Sequence, residues 1–366
     1  MQYKYLYLDD ESNDTVKSYQ DRLSNENLII DYVQINQINK QFIIDNIEEY
    51  HGILLDLRTD EQPDESGIVS DFTGAVWGQH IRDLVTTGKI SKDIPIVLFS
   101  TDKKLQDTYF KDMTSNNIFD RFLTKDKIPD NAISKLISLA KGYEIISSDR
   151  DFNNLLKINI SELDSRIFSR FVKEDGSFNV EIPVHEYAQI ILKDLIYAKG
   201  VLINEKYLAA RLGIEKDSSS DWNNLKEKFS EAKYTGLFSD GWDRWWMHKV
   251  DSKFNEITET YLSYLDAKER LEVIKNKLKL NDLTYSKPIE LNSSYDYWTV
   301  CKATKKPLDP MEGFRVYTIS EPKTWQEYEY VSLYALLNPH TLSEKQIRVH
   351  PLDKERANKK LEKYHG

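Results

Sequence analysis

The sequence has almost none of the residues that build disulfide or cysteine-metal frameworks. It contains one cysteine, Cys301, among 366 residues. That excludes an intrachain disulfide and a cysteine zinc cluster, and it fits a reducing compartment. No apolar stretch approaches the roughly 20 residues that a transmembrane helix needs, and the N-terminus has no signal-peptide pattern. We therefore expect a cytoplasmic protein with no membrane partner.

A strongly basic segment is also missing. Residues 1–145 carry 16 Lys and Arg against 25 Asp and Glu, and the rest of the chain carries 34 against 35. Because DNA-binding proteins usually show a clear basic excess, the balance makes DNA a less favoured partner without excluding it. The 40% of apolar and 12% of aromatic residues suffice for large cores, and this length predicts two or three globular domains.

Four apolar stretches within residues 1–130 end in polar side chains. Three end in carboxylates or a hydroxyl and the fourth in a lysine, and these polar residues are Asp9, Asp10, Asp56, Ser100 and Lys125. Parallel strands bring such residues together at the edge formed by their carboxyl ends. Three carboxylates at one place repel one another unless a divalent cation lies among them, and oxygen ligands favour Mg²⁺. The sequence therefore predicts a magnesium site at this edge.

In their order and strand context, these residues resemble the receiver domain of bacterial two-component response regulators. The resemblance covers roughly residues 1–142. It implies an α/β fold of the flavodoxin-like type, a doubly wound sheet of five parallel strands. It also implies that Asp56 is the phosphoacceptor and that Lys125 and Ser100 assist the transfer.

The same resemblance assigns the metal ligands and the switch. Mg²⁺ would be bound by Asp9, Asp10, Asp56 and the backbone carbonyl of Arg58. The switch pair would be Ser100, already named as a catalytic residue, and Phe122. An ordinary core position on an amphipathic strand is an equal alternative for Phe122.

The partners follow from the resemblance as well. A histidine kinase or phosphotransfer protein would donate the phosphoryl group, and a homodimer is left open. The chain would then be a response regulator that phosphorylates itself and whose output is protein interaction. Whether it also dephosphorylates itself is left open. A DNA-binding transcriptional regulator and a phosphate sink in a bacterial stress or phage-defence relay are the alternatives. After residue 150 no catalytic triad, phosphate-binding glycine loop or metal-ligand spacing indicates a separate enzyme domain.

Two features depart from the receiver pattern. The stretch from Leu57 to Gly74 is longer and more acidic than the usual loop, so it is either a surface insertion or a segment that regulates access. Lys125 is followed by Asp126, where receivers usually have a proline held cis. A cis bond before a non-proline residue costs about 3 kcal/mol, so the peptide bond is either trans or strained.

The pattern of apolar residues predicts four regions. They are a receiver domain over 1–145, a connector over 146–183, a helical and winged-helix-like domain over 184–285, and a small mixed α/β domain with a basic tail over 286–366. In the receiver, βα alternation predicts five strands and five helices, the fourth helix spanning 104–116.

The C-terminal half gives weaker predictions. Residues 201–214 resemble the first helix and turn of a helix-turn-helix, with 217–232 in the place of the recognition helix. Apolar residues near heptad spacing predict one long helix over 252–279. Trp242, Trp245 and Trp246 are expected to be buried, with an interaction surface as the alternative. Strands are expected on both sides of a turn over 307–313.

Overall fold

The computed structural model describes residues 2–107, 117–338, 340 and 347–365. The chain divides into two compact units, of which the first comprises Met1–Asp194 with Thr235–Trp242 and the second Leu195–Tyr234 with Asp243–Gly366. The division into four regions stays a prediction. The fourth predicted helix lies partly outside the described residues.

The first unit is built around a five-stranded parallel sheet in the order β2-β1-β3-β4-β5. Its strands are β1 Tyr3–Asp9, β2 Leu28–Gln34, β3 Gly52–Leu55, β4 Ile96–Ser100 and β5 Arg121–Thr124. All residues of the central strands β3 and β4 are buried, as expected for continuous apolar runs covered on both faces. The order is that of the flavodoxin-like doubly wound fold, so the predicted fold class is confirmed.

Helices connect the strands and continue after them. They are α1 Asn13–Leu23, α2 Lys40–Asn46, α3 Gly74–Thr86, α4 Asp102–Asp107, α5 Ala132–Ser148, α6 Phe152–Leu156 and α7 Val184–Gln189. A π-helix, Ile190–Ile196, follows α7 directly. Short 3-10 helices occupy Ile35–Gln37, Ile47–Glu49, Ile160–Glu162 and Ser165–Ile167. Residues 35–49 are thus divided between α2 and two 3-10 turns.

A buried ionic network holds the amino ends of β4 and β5 against three helices. The Arg82 guanidinium on α3 lies 2.7 Å from Asp93 Oδ1 and 2.9 Å from Asp120 Oδ2. The Tyr143 hydroxyl on α5 donates to Asp120, and the backbone N–H of His185 on α7 donates to Asp93. Because charges out of water need such partners, the network fixes these segments to the sheet.

The second unit is mainly helical. Its helices are α8 Glu205–Leu212, α9 Trp222–Lys228, α10 Met247–Thr258, α11 Ala267–Leu278, α12 Leu333–Leu337 and α13 Pro351–His365. Each of its strands has two residues. They are β6 Leu202–Ile203, β7 Trp245–Trp246, β8 Thr299–Val300, β9 Pro307–Leu308, β10 Phe314–Arg315 and β11 Tyr330–Val331. Short 3-10 helices lie at Lys216–Ser218, Ser230–Ala232 and Leu262–Tyr264.

These strands form three antiparallel pairs, β6 with β7, β8 with β9 and β10 with β11. The start of the turn predicted over 307–313 is therefore itself a strand, and β10 pairs with β11. A partly buried carboxylate supports this unit, since Glu329 forms ion pairs with Lys199 and Lys302. Burial alone raises the pKa of Glu329, but the two ammonium groups outweigh it and lower the pKa to about 2.

The single long helix predicted over 252–279 is wrong. Helix α10 ends where Glu259 adopts φ 62°, and α11 begins at Asp266. Asp266 accepts hydrogen bonds from the first turn of α11 while the Glu269 side chain accepts from the backbone of Asp266. The Asp-x-x-Glu spacing of this capping box is a sequence signal for the start of a helix. The prediction missed it because the apolar residues continue at helical spacing across the break.

Only the first helix of the predicted helix-turn-helix is present in roughly the expected place. Gly213, at φ 78°, ends α8, and a 3-10 turn stands where the second helix was expected to begin. Helix α9 starts at Trp222 and has seven residues. The expected burial of the three tryptophans is confirmed, since each is at most 5% exposed. Within the described part of the chain, no helix is long and apolar enough to cross a membrane.

Candidate functional site

Four strands of the first unit deliver polar side chains to one edge of the sheet. Asp9 is the last residue of β1, Ser100 is the last of β4, and Asp56 and Lys125 directly follow β3 and β5. The backbone N–H of Asp56 donates to Leu8 O at 3.0 Å, and that of Lys125 donates to Ser100 O at 2.9 Å. The pairing of the strands therefore continues to these residues and fixes where their side chains start.

Three of the sequence-predicted residues form one acidic cluster. Asp9, Asp10 and Asp56 are buried, and one carboxylate oxygen of each lies within 4.8 Å of the others. Asp10 Oδ1 is buried without a hydrogen-bond partner among the described residues. An all-oxygen cluster with a spare buried acceptor matches the donor set that Mg²⁺ prefers. The residues present thus fit a magnesium ion.

Asp9 has the most crowded surroundings of the cluster. Its Oδ2 accepts from the Lys125 ammonium and from the Tyr7 hydroxyl, each at 2.5 Å, and its Oδ1 accepts from the backbone N–H of Glu11 at 3.3 Å. Burial and the nearby charge of Asp56 outweigh the attraction of Lys125, and they raise the pKa of Asp9 to about 6. Burial is the larger cause of this rise in pKa, and the charge of Asp56 adds to it.

Lys125 bridges two of the carboxylates. Its Nζ lies 2.5 Å from Asp9 Oδ2 and 2.8 Å from Asp56 Oδ1, and its side chain is 5% exposed. Burial alone lowers the pKa of Lys125, but the charges of Asp56 and Asp9 outweigh it and raise the pKa, so the amine is an ammonium. No described peptide bond is cis. The bond from Lys125 to Asp126 is therefore trans, which settles the question left open by the missing proline.

Asp56 is enclosed on several sides. Its Oδ2 accepts from the backbone N–H of Arg58 at 2.8 Å and lies 3.6 Å from Lys104 Nζ. Gly74, the first residue of α3, passes so close that a Cβ there would lie 1.8 Å from the carbonyl oxygen of Asp56. Only glycine permits this approach of two backbone segments. The carboxylate is completely buried.

The side chain of Arg58 faces away from Asp56 and toward the loop. Its Nε lies 2.8 Å from Asp60 Oδ1, and its Nη1 lies 3.5 Å from Glu61 Oε1. The guanidinium is thus engaged with carboxylates of residues 57–73. The assignment of the Arg58 carbonyl as a metal ligand stays a prediction.

The long stretch over 57–73 is bound to the acidic cluster. The backbone N–H groups of Glu61 and Gln62 both donate to Asp10 Oδ2 at 2.7 Å. The buried Thr59 hydroxyl donates to Phe72 O at 2.6 Å, and the Asn36 amide donates to Gln62 O at 2.8 Å. The segment is therefore held in one conformation beside the site.

Ser100 and Phe122 are in different environments. Ser100 Oγ is buried without a hydrogen-bond partner among the described residues, which leaves a hydroxyl at the edge beside Asp56 with bonding capacity. Phe122 is 44% exposed on the edge strand β5. The alternative that Phe122 is an ordinary core residue is therefore wrong. The switch role of both residues stays a prediction.

Sequence reasoning missed three residues of the site. Tyr7 lies inside β1, where an aromatic residue reads as core, yet its hydroxyl binds Asp9. Lys104 lies four residues after the end of β4, where the sequence predicts only the start of a helix, and Gly74 lies 19 residues after the end of β3. Gly74 carried a weak signal, because a glycine that begins a helix often marks a close backbone contact.

The similarity of the chain to known proteins is low. No family model matches the chain, and no curated protein matches it. A CheY-like response regulator receiver domain from Methylobacillus flagellatus is 15% identical, with a TM-score of 0.28, covering 38% of this chain and 99% of that one. A receiver domain of a modulated diguanylate cyclase from Desulfovibrio desulfuricans G20 is 10% identical, with a TM-score of 0.25, covering 38% and 94%.

A longer match is the response regulator ChrA of a heme-sensing two-component system. It is 11% identical, with a TM-score of 0.26, and the match covers 76% of this chain and 98% of that one. Because all three TM-scores are below 0.5, the fold is established by the strand order and register. The structures that this chain is similar to are receiver domains and response regulators, and its first unit contains the five-stranded parallel sheet of that fold.

Proposed function

We propose that the first unit is a receiver that accepts a phosphoryl group on Asp56 in a Mg²⁺-dependent reaction. The observation that carries this proposal is the convergence of Asp9, Asp10 and Asp56 within 4.8 Å, with the Lys125 ammonium 2.8 Å from Asp56 Oδ1. A structural salt bridge needs one carboxylate per ammonium. Three buried carboxylates around one bridging lysine instead suit a site that binds additional positive charge and then an anion.

The transfer is a displacement at phosphorus. A carboxylate oxygen of Asp56 forms the new O–P bond with a phosphohistidine, the P–N bond of the donor breaks, and its electron pair leaves on the imidazole nitrogen, which takes a proton from solvent. The product is an acyl phosphate on Asp56 and a neutral histidine on the donor. The donor is a histidine kinase or a phosphotransfer protein.

Side chains of the site neutralise the charge of the transferred group. The Lys125 ammonium contacts a phosphoryl oxygen from the Asp56 Oδ1 side, and the unsatisfied Ser100 hydroxyl donates to a second one. Asp9, Asp10 and Asp56, with the Arg58 carbonyl, hold the Mg²⁺. When bound, that ion supplies electrostatic stabilisation of the phosphoryl oxygens.

The output is regulation by protein interaction through the rest of the chain. Phosphorylation moves Ser100 toward the phosphoryl group, and Phe122 changes its exposure on β5. Exposed apolar surface is costly in water, so the 44% exposure of the Phe122 side chain supports a switch role for this residue. The predicted recognition helix over 217–232 begins with an acidic segment, and this gives no support to DNA binding.

Intact mass spectrometry tests the proposal. The protein is incubated with acetyl phosphate in Mg²⁺ or in EDTA, beside Asp56→Asn and the matched control Asp60→Asn, which changes a neighbouring carboxylate of the loop. We expect the wild type and the control to gain one phosphoryl mass in Mg²⁺ only, and Asp56→Asn to gain none. Equal labelling of Asp56→Asn and wild type, or no labelling of either, would contradict the proposal.

A further inference from the structure

A second lysine faces the carboxylate of Asp56. Lys104 of α4 has its Nζ 3.6 Å from Asp56 Oδ2, whereas Lys125 faces Oδ1 at 2.8 Å. Each oxygen of Asp56 therefore has its own ammonium neighbour. The Lys104 side chain is 24% exposed, whereas the Asp56 carboxylate that it contacts is completely buried.

The residues over 57–73 hold Lys104 in this place. Its Nζ lies 2.9 Å from Glu61 Oε2, and the backbone of Glu61 is itself bound to Asp10 Oδ2 at 2.7 Å. Burial alone lowers the pKa of Lys104, but the charge of Asp56 and the hydrogen bond to Glu61 outweigh it and raise the pKa. The ammonium of Lys104 is thus positioned by a residue whose backbone is bound to the acidic cluster.

The charge of the phosphorylated site accounts for a second ammonium beside Asp56. Phosphorylation replaces the single negative charge of Asp56 by the roughly two negative charges of an acyl phosphate, beside the carboxylates of Asp9 and Asp10. Lys125 remains bound to Asp9 as well as to Asp56, so its charge is shared. An ammonium 3.6 Å from Oδ2 is within a small side-chain rotation of a phosphoryl oxygen built on that atom.

We propose that Lys104 is a second cationic residue of the phosphoryl site, which contacts the transferred group opposite Lys125 and speeds its transfer to Asp56. This inference rests on the proposed function. Glu61 is the positioning residue, because it holds the ammonium of Lys104 beside the acceptor before the donor arrives. The insertion over 57–73 thereby becomes part of the site.

The test compares rates of Asp56 labelling by acetyl phosphate in Mg²⁺, followed by intact mass. The variants are Lys104→Gln and Lys104→Arg, and the matched control is Lys103→Gln, which removes the same charge from the adjacent, exposed residue. We expect Lys104→Gln to be slower by about tenfold, as for the loss of one charge-assisted hydrogen bond. Lys104→Arg stays within about threefold of wild type because it keeps the charge. Lys103→Gln is labelled at the wild-type rate.

Two results would overturn the role of Lys104. One is a Lys104→Gln rate equal to that of Lys103→Gln. The other is an equal slowing of Lys104→Gln and Lys104→Arg in variants with wild-type circular dichroism and melting temperature, because then the charge is not what matters. Failure of the proposed function looks different, since the wild type itself would then gain no phosphoryl group on Asp56.

Discussion

Replacing Asp10 by asparagine removes one charge from the acidic cluster without breaking an ion pair. The described contacts of the Asp10 side chain are the backbone N–H groups of Glu61 and Gln62 on Oδ2, and an asparagine oxygen accepts these as well. Oδ1, without a hydrogen-bond partner among the described residues, is the oxygen we assign to the metal. The substitution therefore separates the electrostatic cost of the cluster from its packing.

The expected magnitude follows from Coulomb's law. Two unit charges 4.8 Å apart repel by about 3 kcal/mol at an effective dielectric constant of about 20. Asp10 faces two such charges, Asp9 and Asp56, but it also gains attraction from the ammonium groups of Lys125 and Lys104. Its hydrogen bonds from the loop weaken by about 1 kcal/mol each when the acceptor becomes neutral. The balance leaves Asp10→Asn more stable than wild type by about 1–2 kcal/mol in metal-free buffer.

Differential scanning calorimetry of the full chain at pH 8 measures this difference, because Asp9, with a pKa of about 6, is then ionised. In EDTA, Asp10→Asn should melt a few degrees above wild type. In Mg²⁺ the order should reverse, since an ion present at 100 times its dissociation constant stabilises the wild type by about 2.7 kcal/mol. Asp21→Asn, an exposed carboxylate on α1, is the matched control and should change stability by less than about 0.5 kcal/mol.

The reasoning is refuted by either of two outcomes. In the first, Asp10→Asn melts below wild type in EDTA, which would mean that the charge of Asp10 stabilises the fold. In the second, Mg²⁺ raises the melting temperature of Asp10→Asn as much as that of wild type, which would mean that the ion binds elsewhere.

Three further substitutions test other parts of the structure. Gly74→Ala places a Cβ 1.8 Å from the Asp56 carbonyl oxygen, so it should cost about 1–3 kcal/mol and slow labelling of Asp56; an unchanged melting temperature would contradict the close contact. Glu329→Gln should cost about 2–3 kcal/mol at pH 7. The folded pKa of Glu329 is lowered to about 2, so the difference in stability between wild type and Glu329→Gln is complete above the unfolded pKa of about 4.5 and shrinks as pH falls toward 2. A difference that stays constant between pH 7 and pH 3 would argue against these ion pairs. Arg82→Met leaves two buried aspartates without their guanidinium and should cost about 3–5 kcal/mol by urea unfolding, whereas a loss under 1 kcal/mol would show that the network does not support the sheet.

The sheet and the acidic cluster were predictable from sequence for a simple physical reason. A strand buried on both faces is a continuous apolar run, and the residue that follows it must lie at the sheet edge. The positions of Asp9, Asp56 and Ser100 at the edge of the sheet were therefore predictable from the sequence. The order of the strands does not follow from these apolar runs, because the flavodoxin-like fold was implied by the resemblance to receiver domains.

The rest of the site depends on tertiary contacts that no local pattern encodes. Lys104 of α4 lies 3.6 Å from the Asp56 carboxylate, and the Tyr7 hydroxyl binds Asp9 two residues further along β1. The break between α10 and α11 was concealed by an apolar repeat that continued through Tyr261 and Tyr264, which the structure leaves 44% and 74% exposed. Periodicity identifies an apolar face, but it does not prove that a partner covers it.

The most direct measurement of the central claim is a crystal structure of the protein grown with Mn²⁺, which substitutes for Mg²⁺ and gives an anomalous signal. We expect one anomalous peak within about 2.2 Å of carboxylate oxygens of Asp9, Asp10 and Asp56. A map with no peak at that edge of the sheet, at Mn²⁺ concentrations that support labelling of Asp56, would contradict the metal site on which the proposed function depends.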